Sequence, residues 1–282
     1  MTDQPRRAVH QAPDASSETG DRQSTDQADS GARAAGGQPS SPGRKVLGGL
    51  VELVVVVVGA LVISAILRAF IGQMFIIPSG SMENTLQVND RVIVSKITNF
   101  DRGDVVVFED PAGWILDRPA ERSSLGKVGE KIGVLPATGT NHLVKRVMGM
   151  PGDHVKCCDD QGRITVNGQA LDESSYLFVD GNGSQVKPSD WDFDVIVPAD
   201  HVFVMGDHRN ASGDSRIHLG DGDPKGANAF VPLDKVVGPA VAIAAPLDRI
   251  GGFGTPDTFA PVPAPSEPAP AEGKVLADGY GG

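Results

Sequence analysis

The sequence predicts a mostly β body carried behind one N-terminal transmembrane helix. Three observations support this. Residues 46–67 form an apolar run of 22 residues with a single charge, Glu52. From residue 90 onward, short apolar runs alternate with polar residues at period two, and no segment keeps a long 3.6-residue repeat. Gly (35) and Pro (21) are frequent, as a chain with many turns or disordered segments requires.

The elements follow in order. Residues 1–45 are Gln, Asp, Ser, Gly, Ala and Pro with six basic and six acidic residues. Such a stretch buries too little apolar surface to offset the entropy of ordering, so a disordered tail is expected. At 1.5 Å per residue, the 46–67 run gives about 33 Å of helix, enough for a hydrocarbon core of about 30 Å. Its many β-branched residues disfavour helix in water, but in lipid the backbone must bond internally. We assign the transmembrane helix to 46–70. Arg33, Arg44 and Lys45 precede the span without an acid among them, and after it only Arg68 is charged before Glu83. The positive-inside rule then puts the N-terminus in the cytoplasm and the body outside the cell membrane, as a single-pass protein.

Strands are expected at 91–97, 104–108, 142–148, 163–166, 195–197, 201–205 and 236–244. Asn167-Gly168 is a type I′ hairpin signal, because both central residues need φ > 0. These strands make an antiparallel β-rich domain over 76–247, with a smaller inserted β region at 156–199. Residues 110–140 and 173–194 read as loops, and 253–282 as a second disordered tail rich in Pro, Ala and Gly.

Composition excludes several classes. The net charge of −11 argues against nucleic acid as a partner. Two adjacent cysteines, Cys157 and Cys158, exclude a disulfide scaffold and a finger-type zinc site. Joined to each other, bridged to another chain, or free, they carry no expected role. No His pairs at metal spacing, so neither a metal nor a cofactor is expected.

Three stretches can carry chemistry. PSGSM (78–82) places two serines around a glycine in a turn stiffened by Pro78. An exposed turn with free backbone N–H groups suits a nucleophilic serine and its oxyanion, although by itself Ser-Gly-Ser is most often a plain loop. A serine needs a base. A histidine in a Ser-His-Asp triad is one option, but Lys145 is the better candidate. It stands among Leu143, Val144, Val147 and Met148, and alternation points it with Val147 and away from Arg146. Facing an apolar interior, a lysine loses its preference for charge and becomes a base. The third stretch, GDHRNASGDSR (206–216), follows a strand, and Asp214 with Arg216 has the spacing to brace a loop. Ser124-Leu-Gly-Lys127 also fits S-x-x-K, but it lies in a polar loop without SDN or KTG partners.

In this order, PSGSM, RGDVVVF (102–108), KRVMGMPGD (145–153) and GDHRNASGDSR after one membrane span resemble the bacterial type I signal peptidases, membrane-anchored Ser-Lys endopeptidases. The resemblance covers about residues 46–245, and the Ala, Gly, Val and Pro usage has an actinobacterial look. It implies a serine protease, a hydrolase of protein secretion that removes N-terminal signal peptides through an acyl-enzyme. Residue by residue, it implies Ser81 as nucleophile and Lys145 as general base. Ser79 and the Ser81 N–H would bind the oxyanion, and Ser212 would orient the Lys145 ammonium. Asp214 and Arg216 would brace the site, and Met82 would pack beside the nucleophile. The partners implied are secretory preproteins with small residues at −1 and −3, and the lipid bilayer. Ile76, Ile77 and Val106 would suit shallow pockets for such residues. The sequence departs from the family pattern at Asn84, Asn89, His208, Asn210 and Ala211. The self-cleaving stress repressors share the chemistry, but the membrane span argues against them. A membrane-tethered β module that only binds exported proteins is the non-enzyme alternative.

Overall fold

The computed structural model describes residues 42–70, 72–115 and 141–280. The expected tail at 1–45 therefore lies almost wholly outside the described residues, as do Ser124 and Lys127. The helix α1 runs from Pro42 to Phe70, longer at both ends than the apolar run. Its segment Gly48–Ile66 is long and apolar enough to cross a membrane. Side chains from Leu50 to Ile66 stand exposed on it, the surface that a bilayer rather than a protein core would cover.

Thirteen strands follow among the described residues. They are β1 (Gly72–Ile76), β2 (Arg91–Ser95), β3 (Val105–Glu109), β4 (His142–Gly149), β5 (His154–Cys157), β6 (Thr165–Val166) and β7 (Gln169–Ala170). After them come β8 (Phe193–Ile196), β9 (His201–Met205), β10 (Val231–Pro232), β11 (Val236–Ala245), β12 (Gly251–Gly252) and β13 (Lys274–Asp278). One antiparallel sheet has the order β1-β2-β11-β3-β4-β9-β10, with β12 on β11, and a second has the order β13-β8-β5-β6-β7. The fold is mostly antiparallel β behind one apolar helix.

The strand β4 sits inside the first sheet, between β3 and β9. Val106 lies opposite Lys145, and Arg146 opposite both Val105 and Met205. From Val144 to Gly149 every residue of β4 is buried, so both faces of the strand look into the interior. One core packs Val106, Phe108, Val147 and Val204 around these strands. Another packs Phe75, Met82, Leu86, Val92 and Val94 under β1 and β2. A third, behind the second sheet, gathers Val155, Ile164, Phe193, Phe203 and Phe230. Asn167 and Gly168 join β6 to β7 with φ of 52° and 80°, the geometry that their turn chemistry favours. Cys157 and Cys158 are joined to each other.

The C-terminal expectation needs correction. Residues 253–280 are laid along the body instead of forming a disordered tail. Phe259 and Val262 are buried in the core behind the second sheet. The strand β13 adds to the edge of β8, and Ala199 N–H donates to Pro270 O at 2.7 Å. Local composition read as disorder; docked apolar side chains and a paired edge supply the order that propensity does not. The loop at 173–194 likewise buries Tyr176 and Leu177.

The strand β11 bends where it passes from β3 to β2. Gly238 has φ of +150°, and a Cβ there would run into the backbone oxygen of Ser95. Gly238→Ala should therefore destabilise the body by more than about 1 kcal/mol. Thermal melting checks this, with a fall in Tm of a few degrees as the expected result.

Candidate active site

The serine turn is fixed from both sides. Ile77 N–H donates to Asp90 O at 2.9 Å and Asn89 N–H to Ile77 O at 2.9 Å, which closes the loop on itself. Between them, Gly80–Met82 forms one 3₁₀ turn, with Glu83 N–H bonded to Gly80 O at 3.0 Å. Met82 and Leu86 are buried and anchor the turn in the core. Asn84 and Asn89, the two departures from the family pattern here, have φ of 38° and 73°. Asparagine tolerates this left-handed region better than most residues, which suits it to both turn positions. The Asp90 carboxylate accepts from Gln87 N–H at 2.8 Å and pairs with Arg249 at 2.9 Å.

Lys145 reaches this turn from β4. Its Nζ lies 2.6 Å from Ser81 Oγ, with Val144 O at 3.1 Å as its other partner. Lys145 is 2% exposed and Ser81 8%. Burial pushes the lysine down, Asp214 and Asp207 pull it up and Arg216 pushes it down, with the balance lowered to about 8. Ser79 Oγ is 3.4 Å from Ser81 Oγ. Among the described residues, no histidine bonds to Ser81 Oγ. His142 is near but packs its ring on Phe75, and burial lowers its pKa. A narrow cleft beside the pair is lined by Ile77, Pro78, Leu143 and Val144. Ile77 thus stands at the cleft, whereas Val106 is wholly buried in the core.

The third motif lies against the serine turn. His208 N–H donates to Ser81 O at 3.1 Å, and His208 Nδ1 is 3.2 Å from both Gly80 O and the Glu83 carboxylate. Gly206 lets the chains meet, because a Cβ there would strike Ser81 O and Ser212 Oγ. Asp214 and Arg216 form a two-pronged pair at 2.9 and 2.8 Å, both fully buried. The carboxylate also accepts from Gly206 N–H at 3.0 Å, and the guanidinium donates to Arg209 O at 2.7 Å. Burial alone would raise the Asp214 carboxyl, but Arg216 and these N–H donors hold it below its usual value. Ser212 makes no hydrogen bond to Lys145. Its hydroxyl is buried, close enough to Asp214 to help hold it charged, and without a partner of proper geometry among the described residues.

Sequence reasoning missed a layer of buried ions beneath the site. Arg146, on the opposite face of β4 from Lys145, grips Asp207 at 2.8 and 2.6 Å. It also donates to Gly103 O at 2.6 Å and covers the Tyr176 ring at 4.2 Å. Arg209 pairs with Glu173, which accepts from the Tyr176 hydroxyl at 2.7 Å. Arg102 pairs with Asp153 at 2.5 and 2.7 Å. The available signal was that Arg146, Asp207 and Arg209 all stand inside the motifs, in apolar or strand-flanking settings.

Residues 50–245 match the family described as signal peptidase, peptidase S26. The chain is 33% identical over 238 residues to a probable signal peptidase I from Mycobacterium leprae, covering 72% of this chain and 79% of that one. It is 35% identical over 227 residues to a signal peptidase I from Mycobacterium tuberculosis (strain ATCC 25618 / H37Rv), covering 71% and 74%. A signal peptidase I from Leptolyngbya laminosa is 30% identical over 227 residues, covering 79% and 93%.

The Asp214–Arg216 pair yields a prediction of its own. Removing one partner leaves a buried charge, at about 3–5 kcal/mol. Asp214→Ala should therefore lower thermal stability together with activity, as melting and cleavage assays on the same sample will report. The depressed carboxyl gives the pH dependence: its stabilisation is complete above the ordinary Asp value and is lost as pH falls through the lower folded value. Acid unfolding of the parent should include this loss, and that of Asp214→Ala should not.

Proposed function

We infer from the pairing of Ser81 with Lys145 how this chain, which belongs to the signal peptidase family, peptidase S26, removes signal peptides from preproteins. It is a serine endopeptidase and a membrane-anchored hydrolase. The observation that supports the dyad is the 2.6 Å approach of Nζ to Oγ in a buried setting.

In the proposed reaction, neutral Lys145 takes the Ser81 hydroxyl proton while Oγ attacks the scissile carbonyl carbon. The negative charge that develops on the carbonyl oxygen is met by the Ser79 hydroxyl and the Ser81 N–H. The C–N bond breaks, the Lys145 ammonium returns the proton to the leaving amine, and an ester on Ser81 remains. Water then attacks that ester as Lys145 takes its proton; the acyl C–Oγ bond breaks, the cleaved peptide leaves as a carboxylic acid, and Lys145 returns the proton to Ser81 Oγ. Burial is what makes lysine fit for this: an ordinary lysine near 10.4 is almost wholly protonated at neutral pH, and a useful base lies near the working pH. Asp214 and Arg216 brace the loop, and Met82 holds the nucleophile's turn in the core. Ser212 is assigned to the lysine's orientation, which needs its free hydroxyl to turn toward Nζ when substrate binds.

The narrow cleft supports a preference for small residues at −1 and −3, since Ile77, Leu143 and Val144 leave little depth. The flanking charges support a cytoplasmic N-terminus and an extracytoplasmic catalytic body. The helix and the h-region of a substrate would then share one bilayer, with the cleavage site delivered close to Ser81.

Ser81→Ala and Lys145→Ala should each abolish cleavage of a preprotein, read by sequencing the new N-terminus, while melting stays cooperative. Lys145→Arg should also be inactive, because a guanidinium keeps its proton. Ser79→Ala should lose about 10²–10³-fold in rate. The sign of the pH dependence follows from the base: cleavage should rise with pH through about 8, where Lys145 becomes neutral. His142→Ala should keep that limb. Its disappearance there, or activity in Lys145→Arg, would assign the base to histidine.

Topology has a separate check. Protease added outside intact cells should digest the catalytic body and spare residues 1–45.

A further inference from the structure

The residues matching the family end at 245, yet the chain continues as an ordered strap through residue 280. The strap is tied down along its length. Asn167 Nδ2 donates to Pro263 O at 2.8 Å, Ala199 N–H to Pro270 O at 2.7 Å, and β13 pairs with β8. Its first part lands on two groups that hold Arg146. Gly103, at φ +86°, has no Cβ, and the Phe259 ring with the Thr255 methyl occupies that space. The Thr255 hydroxyl donates to the Asp104 carboxylate. Phe259 also stacks on Tyr176, with ring centroids 6.2 Å apart.

Gly103 and Tyr176 are direct partners of Arg146: the Gly103 carbonyl accepts from its guanidinium at 2.6 Å, and the Tyr176 ring lies 4.2 Å beneath it. The same turn is bonded to β4 beside Lys145, through Gly103 N–H to Val147 O at 2.7 Å and Val147 N–H to Asp104 O at 2.9 Å. We propose that Phe259 is a positioning residue for cleavage: it presses the Gly103 turn and Tyr176 together, so that Arg146 stays on Asp207. This rests on the reading of Lys145 as the base.

The consequence is electrostatic. Lys145 is faced by Asp214, Asp207 and Arg216. Arg146 is faced by Asp207, Tyr176 and Arg209, and Tyr176 also by Glu173. Loosening Arg146 leaves Asp207 less neutralised. Its field then favours the Lys145 ammonium, and the acid limb of cleavage moves to higher pH.

The test uses the full chain in detergent with a preprotein substrate. Phe259→Ala should lower kcat about tenfold, in keeping with the cost of small misplacements near the chemistry, with KM within about twofold. Its acid limb should move up by several tenths of a pH unit, and Phe259→Leu should restore most of both. Hydrogen exchange at residues 103–108 and 142–149 should quicken in Phe259→Ala; this reads the contact without using activity. Val275→Ala, in the strap but packed against Gly226, should lower Tm while leaving the limb in place. A folded Phe259→Ala with an unmoved limb would overturn the proposal, as would Val275→Ala moving it equally. Activity in Lys145→Arg would instead sink the dyad, whatever the exchange data show.

Discussion

The site depends on a lysine that is buried without a carboxylate of its own. Among the described residues, Lys145 Nζ bonds to a hydroxyl and a carbonyl only. A salt bridge would fix its charge and bar the role of base proposed for it. Yet the surroundings are rich in buried acid: Asp207, Asp214, Glu173 and Asp153 are all nearly or wholly inaccessible. Each is held by an arginine, respectively Arg146, Arg216, Arg209 and Arg102. Arginine keeps its proton at any working pH and matches a carboxylate with a planar fork. The arginines therefore neutralise the acids, and Lys145 is left free to titrate.

The chain reaches this arrangement by a small number of backbone approaches. The strand β4 divides the two cations between its faces, Lys145 toward the serine turn and Arg146 toward Asp207. The loop after β9 then touches both: His208 N–H holds Ser81 O, while Asp207 takes Arg146 and Asp214 holds Gly206 N–H. A side chain at Gly206 would separate the serine turn from this loop. One loop thus contacts the serine turn and supplies two of the buried acids, Asp207 and Asp214.

Much of this was legible in the sequence. The apolar run specified the helix, period two the strands, and Asn167-Gly168 a hairpin. The four motifs brought Ser81 and Lys145 together on paper, and alternation already separated Lys145 from Arg146. The pairing of Arg146 with Asp207 was not legible, because 61 residues separate them and no local spacing links their charges. Nor was the strap. Pro, Ala and Gly between isolated apolar residues read as disorder, and only the space left by Gly103 and the open edge of β8 explain why Phe259 and β13 settle where they do. Ser212, expected to orient the lysine, makes no hydrogen bond to it and lies instead near Asp214.

With Lys145 as the proposed base, the layer of ion pairs would act on its titration more than on stability. Buried pairs are often no more stabilising than apolar residues of the same volume, since desolvation offsets their attraction. An apolar layer would hold the body together as well. It would also leave burial unopposed, and a fully buried lysine without nearby acids falls toward about 5–6. A base that weak would be neutral at all times but would take the serine proton poorly. Here Asp214 and Asp207 pull up while burial and Arg216 push down, and the balance sits at about 8. Neutralised acids at fixed distance make that balance adjustable by geometry alone. On the proposed mechanism, the contacts that locate Arg146, remote from the scissile bond, would therefore bear on the chemistry of the site.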